Sequence, residues 1–128
     1  MTLNFIQISE LVNVLETLKN MKMPFKLSLI LAKNISMLEK EYEFYLERER
    51  EFALKYLQMD ENGMFIQEQE NVFKIKEGLE RECQEARMEL NKFESEVELR
   101  KIPVSLIENM EFTPNQLAVL EILIEGEE

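Results

Sequence analysis

Apolar residues recur at alternating steps of four and three along one stretch of the chain, and this periodicity most limits what it can fold into. Leu31, Ile35, Leu38, Tyr42, Tyr45, Phe52 and Tyr56 hold the phase, and Glu49 alone breaks it. A heptad seam of this kind predicts an amphipathic helix from just after Pro24 to about Gln58. At roughly 1.5 Å per residue it would be about 50 Å long. Glu39, Lys40, Glu41, Glu43, Glu47, Arg48, Arg50, Glu51 and Lys55 lie between the seam positions and charge the opposite face. One narrow apolar stripe is left for a partner helix.

A second stretch supplies such a partner. Val72, Ile75, Leu79, Cys83, Ala86, Leu90, Phe93 and Val97 fall on one face, and glutamates fill most of the rest. With Asp60-Glu61-Asn62-Gly63 as the turn, the two stretches predict a long antiparallel helical hairpin, with arm one over residues 25–58, a tip over 59–69 and arm two over 70–94. The small Cys83 and Ala86 would then face the bulky Tyr42 and Tyr45, as a close-packed seam requires. Gly78 disfavours the first turns of arm two and invites a kink.

The flanking segments read as lesser elements at the open end of the hairpin. Leu3, Phe5, Ile6 and Ile8 suggest an edge strand, and Ser9 an N-cap for a short helix ending near Lys19-Asn20, all within residues 1–23. Val97 and Leu99 alternate with charge, so residues 96–104 read as a strand that ends at Pro103 and pairs with the N-terminal one. Thr113-Pro114-Asn115-Gln116 carries a cap, a first-turn proline and a capping-box glutamine, and opens a helix over residues 114–125. That helix is apolar on most sides and should be buried, with Gly126-Glu127-Glu128 a frayed tail. The expected fold is mainly α with a minor β part: a helical hairpin, a two-stranded ribbon and a C-terminal helix in one domain of 128 residues.

Composition excludes several classes. No apolar run approaches the roughly 20 residues that span a bilayer. The N-terminus has no basic region with a small-residue cleavage site, so a cytoplasmic location is expected, in agreement with one cysteine. No histidine is present, which removes the common imidazole metal sites and the Ser/His and Cys/His nucleophile systems. Three glycines cannot build a phosphate-cradling loop. Calcium fails on spacing: with Gly63 at loop position six, the first and twelfth ligands would be Gln58 and Gln69, and neither brings a carboxylate. Cys83, in the apolar phase, reads as an inert buried thiol. No catalytic, cofactor or metal site is expected, and the chain reads as a non-enzyme.

Charge is more informative. The net charge is −11, yet residues 1–38 balance to +2 and residues 39–128 to −13. So acidic a surface repels phosphate and argues against direct nucleic-acid binding. The acidic helices either keep the chain soluble or dock on a basic groove of a protein partner, with Glu39, Glu43 and Glu47 on arm one and Glu82, Glu85 and Glu89 on arm two as the contact residues. At the tip, Met64 and Phe65 either pack back onto Tyr56 and Leu57 or add an adaptable apolar contact. The seam can be satisfied within one chain or between two, giving a monomer or a homodimer.

Several local sequences together resemble a family of small uncharacterised proteins from phages and prophages of low-GC Gram-positive bacteria. They are Lys22-Met23-Pro24, Ala32-Lys33-Asn34, Leu38-Glu39, Glu47-Arg48-Glu49, Lys55-Tyr56, Asp60-Glu61-Asn62-Gly63, and Phe112-Thr113-Pro114 before Leu117-Ala118-Val119-Leu120-Glu121. These motifs mark a loop, a turn and a helix cap, and bring no catalytic residue with them. The resemblance implies a phage setting in a host cell. In that setting an acidic, ligand-free protein is expected to bind and inhibit or modulate a bacterial protein such as a defence or nucleic-acid-handling enzyme. The alternative class is a virion accessory or assembly factor acting through oligomerisation of the helical arms.

Overall fold

The structure, a computed structural model, describes residues 1–125. The tail Gly126-Glu127-Glu128, expected to fray, lies outside the described residues. In chain order the elements are β1 (Thr2–Asn4), α1 (Phe5–Leu18), α2 (Phe25–Tyr56), β2 (Gln67–Gln69), β3 (Val72–Phe73), α3 (Glu80–Asn91), β4 (Glu94–Glu96), β5 (Ile102–Pro103), α4 (Pro114–Leu120) and β6 (Ile124–Glu125). Short 3-10 turns occupy Val104–Leu106 and Glu121–Leu123. This is the mainly α class with minor β pieces that the periodicity predicts. The chain divides into two compact units, a terminal unit of Met1–Glu43 with the chain from Glu94 onward, and a middle unit of Phe44–Phe93.

In the terminal unit the first helix starts earlier than Ser9. The Asn4 side chain accepts from the Gln7 N–H at 2.9 Å, and the Gln7 side chain accepts from the Asn4 N–H at 2.9 Å. That capping box outcompetes Ser9 because it satisfies two otherwise orphaned donors at once. Ile8, Leu11, Leu15 and Leu18 then fall at steps of three and four and are buried. Leu27, Leu31 and Leu38 of α2 are buried in the same unit. Proline at position 24 sets the break between the two helices.

The expected ribbon forms, two residues early. β1 pairs antiparallel with β4, Leu3 opposite Ser95. Residues 97–101 are not strand: Val97 still donates its N–H to the Met1 carbonyl at 2.8 Å, and at residue 100 a side chain takes the place of a neighbouring strand. Asn34, 1% exposed, donates Nδ2 to the Arg100 carbonyl at 2.9 Å and accepts the Arg100 N–H on Oδ1 at 2.8 Å. Beyond that clamp, β5 pairs parallel with β6. At the last helix, Thr113 Oγ1 accepts the Gln116 N–H and Gln116 Oε1 accepts the Thr113 N–H, with proline following the cap, as the sequence predicts. The helix itself is shorter than 114–125. It ends at Leu120, and the chain tightens into a 3-10 turn and then extends to pair with β5. Its burial is partial: Leu120 and Leu123 are buried, whereas Leu117 is 42% exposed.

In the middle unit the second arm is helical only over Glu80–Asn91. Asn71 (φ 64°) and Gly78 (φ 87°) sit in the left-handed region, which a right-handed helix cannot contain. Val72 and Ile75, which fit a helical face by spacing, are instead part of a small three-armed meander. Met59 bridges Phe65, Gln67 pairs with Phe73, and Ile75 bridges Leu57, each pair eight residues along from the one before and the last closing on the first. The backbone bonds at its centre run in a ring: Ile66 N–H to Gln58 carbonyl, Lys74 N–H to Ile66 carbonyl, and Gln58 N–H to Lys74 carbonyl, at 2.8–3.0 Å. At the first bend the Asp60 carboxylate accepts the N–H groups of Asn62 and Met64, and Gly63 adopts φ 80°.

The meander moves the register between the helices. Tyr45 meets Phe93, its ring at 5.5 Å and its hydroxyl donating to the Phe93 carbonyl, and Glu49 meets Arg87. Cys83 therefore lines one cleft with Phe52, Leu57, Phe73 and Ile75 in place of facing the expected tyrosines. Tyr42 stacks on Phe5 at 5.9 Å within the terminal unit. Residues that a continuous helix would spend on rise are spent on the bends.

Candidate protein-binding surfaces

The eight residues singled out by charge and exposure divide between the units. Glu39 and Glu43 belong to the terminal unit, and Glu47, Met64, Phe65, Glu82, Glu85 and Glu89 to the middle unit. Within the terminal unit Glu39 and Glu43 stand one helical turn apart on α2, and within the middle unit Glu82, Glu85 and Glu89 share α3.

On α2, two of the three glutamates are engaged internally. Glu39 shares a hydrogen bond with Glu16 that holds its carboxyl above the usual range; slight desolvation adds to the rise, and Lys19 offsets part of it. The Lys19 ammonium stands 3.5 Å from Glu16 and 4.0 Å from Glu39. Glu47 pairs with Arg50 at 3.0 Å, and only Glu43 is exposed without an ion-pair partner among the described residues.

On α3 the arrangement is more open. Glu82, Glu85 and Glu89, at steps of three and four, fall within an arc of about 60° and are all exposed. Glu85 reaches Arg81 at 3.4 Å across an exposed (i, i+4) pair, a contact worth little in water. Glu82 and Glu89 have no ion-pair partner among the described residues. At the first bend Met64 is 65% exposed, while Phe65 is half-buried with its ring edge-to-face against Phe73 at 6.4 Å. The two tip residues thus have different environments.

Periodicity alone did not disclose the best-organised polar contact of the middle unit. Glu49, the glutamate that interrupts the heptad, accepts from both terminal guanidinium nitrogens of Arg87 at 2.8 Å, and that guanidinium lies 4.2 Å above the Phe52 ring. The hydrogen bond to Glu49 raises the Arg87 pKa further. The available signal was Glu49 on the first predicted stripe; Arg87 lies one position off the second, and the register that joins them depended on the meander. One turn away, burial pushes the Cys83 thiol up, against the pull of Arg87. At physiological pH such a thiol is protonated and a poor nucleophile.

Among the described residues, no group of three or more Cys, Asp or Glu side chains is placed to hold a metal ion. No helix among them is long and apolar enough to cross a membrane. Comparison with family models, with curated proteins and with solved structures finds no match to this chain.

Proposed function

We propose that the chain is a non-enzymatic acidic protein-binding module, encoded by a phage and acting in the host cytoplasm, which inhibits or modulates a bacterial protein. The observation that carries this reading is the α3 face: three exposed glutamates in one arc, two of them without an ion-pair partner among the described residues. A row of exposed carboxylates on one helix face, two of the three without an ion-pair partner among the described residues, presents negative potential, which steers and orients a basic partner surface. A defence or nucleic-acid-handling enzyme supplies such a surface, since it must itself attract phosphate. The α2 row is the weaker candidate, because Glu39 and Glu47 are already engaged by Glu16, Lys19 and Arg50.

The test is affinity capture of tagged protein from lysate of a Gram-positive host at low and high salt, with the bound proteins identified by mass spectrometry and the affinity of the captured protein then measured. Reversal of Glu82, Glu85 and Glu89 to Lys should weaken that affinity by about tenfold or more, and reversal of Glu39, Glu43 and Glu47 by less. Unchanged affinity in both triple variants would remove the acidic-face mechanism. Recovery of phage structural proteins alone would favour an assembly role.

A further inference from the structure

Two stretches of the terminal unit carry opposite charge without exception. Residues 17–38 hold Lys19, Lys22, Lys26 and Lys33 and no acid, and residues 102–125 hold Glu108, Glu111, Glu121 and Glu125 and no base, with Lys101 just before them donating its Nζ to the Ile122 carbonyl. Each also leaves apolar surface in water. Phe25, at the start of α2, is 79% exposed, the highest value among the large apolar side chains described, and Met21 and Leu29, four residues to either side, are 45% and 39% exposed. Lys22 and Lys26 flank this corner and are exposed.

The acidic stretch folds around a groove. Because α4 stops after seven residues, Leu117 and Ala118 are not covered, and they join Val104, Met110, Phe112 and Ile124 in walling a cleft of about 770 Å³. Glu108, Glu111 and Glu121 line the same cleft. That volume lies in the range of built ligand sites, roughly 300–1,000 Å³. Its chemistry asks for apolar side chains below and cations at the edge.

We propose that this groove receives the Phe25 corner of a second copy of the chain. Phe25 and Leu29 would enter the apolar cleft while Lys22 and Lys26 meet the rim glutamates, so one contact covers both patches. A basic amphipathic segment of another protein would fill the groove yet leave Phe25 in water. Nucleic acid and anionic lipid surfaces are repelled by the rim. Donor and acceptor surfaces differ, so reciprocal exchange closes a dimer and one-way docking builds a chain of copies. The proposal goes beyond the α3 reading and stands or falls separately from it, since both surfaces belong to the terminal unit.

The experiment is sedimentation velocity on the full chain from about 1 μM to about 1 mM, with Phe25→Ser, Leu117→Lys and an equimolar mixture of the two. Both positions are exposed, and far-UV circular dichroism confirms that each variant folds. The wild type should gain mass with concentration, and each variant should need at least about tenfold higher concentration to associate. The mixture keeps one intact corner-to-groove contact per pair, and should form one-to-one pairs at lower concentration than either variant alone associates. The Phe25→Ser chain still offers a groove and the Leu117→Lys chain still offers a corner, so only a corner-to-groove contact is rescued by mixing. A wild type that stays monomeric overturns the proposal. So does association insensitive to both substitutions, or a mixture that associates no better than either variant alone. A monomeric wild type that binds a peptide of Leu and Lys at helical spacing, with binding lost in Leu117→Lys, would give the groove to a foreign partner instead.

Discussion

Asn34 is the residue whose burial most needs its hydrogen bonds. It spends both ends of its amide on the N–H and carbonyl of Arg100. Asn34→Ala should therefore cost about 2 kcal/mol, the loss of two part-buried hydrogen bonds at about 1 kcal/mol each. Urea unfolding followed by circular dichroism checks this, and a loss below about 0.5 kcal/mol would mean that water replaces the amide without difficulty. The sequence showed Asn34 only as a polar residue on a helix, with nothing to say that a strandless segment 66 residues away would depend on it.

Two carboxylates give the same scale a pH signature of opposite signs. Hydrogen bonds from Thr2 and the N-terminal amine, with the charge of that amine, hold Glu96 below its ordinary pKa. Its contribution is present above the unfolded value and is lost as pH falls through the folded one. Glu39 is raised, so its contribution is complete below the unfolded value and is lost as pH rises through the folded one. Glu96→Gln should lower Tm at neutral pH and Glu39→Gln should raise it, with both differences shrinking toward about pH 3. Thermal melts across that range decide it, and shifts of the same sign at neutral pH would contradict the assignment.

At the scale of elements, α2 was legible because a 3.5-residue period survives over many turns, and every seam position from Leu31 to Tyr56 is at least half-buried. The Thr113 cap was legible because its chemistry is local. Arm two was misread where two left-handed residues, Asn71 and Gly78, outweigh a helical spacing of apolar side chains. Spacing reports which side chains can share a face but carries no signal for a single φ that the helix cannot adopt. The same misreading hid the Glu49–Arg87 pair. Because the pair is about one-third exposed on both sides, its strength is reduced by solvent, and a double-mutant cycle with Glu49→Leu and Arg87→Met should return a coupling of about 1 kcal/mol. The single Arg87→Met variant should be less stable than the double, which restores an unbroken apolar seam. A double variant no more stable than that single would show that Arg87 matters through its contact with Phe52 instead.

For the whole molecule, the net charge of −11 sets a condition on any self-association. Two copies repel at long range, while the proposed corner-to-groove contact attracts only where Lys22 and Lys26 approach the rim glutamates. Salt acts on these two terms over different distances. The screening length falls from roughly 30 Å at 0.01 M to about 8 Å at 0.15 M and about 3 Å at 1 M. Moderate salt therefore removes most of the repulsion between distant charges and spares the close ion pairs, and only high salt weakens the latter. Self-association should rise from about 0.01 M to about 0.15 M and fall again toward about 1 M. Capture of a basic partner by the α3 face has no such long-range repulsion to lose, because net charges of opposite sign attract at every distance, and it should weaken steadily over the same range. Sedimentation at the three salt concentrations, set beside capture at the same three, separates the contacts without mutation. Self-association that falls at every step would mean that long-range repulsion is not what salt relieves.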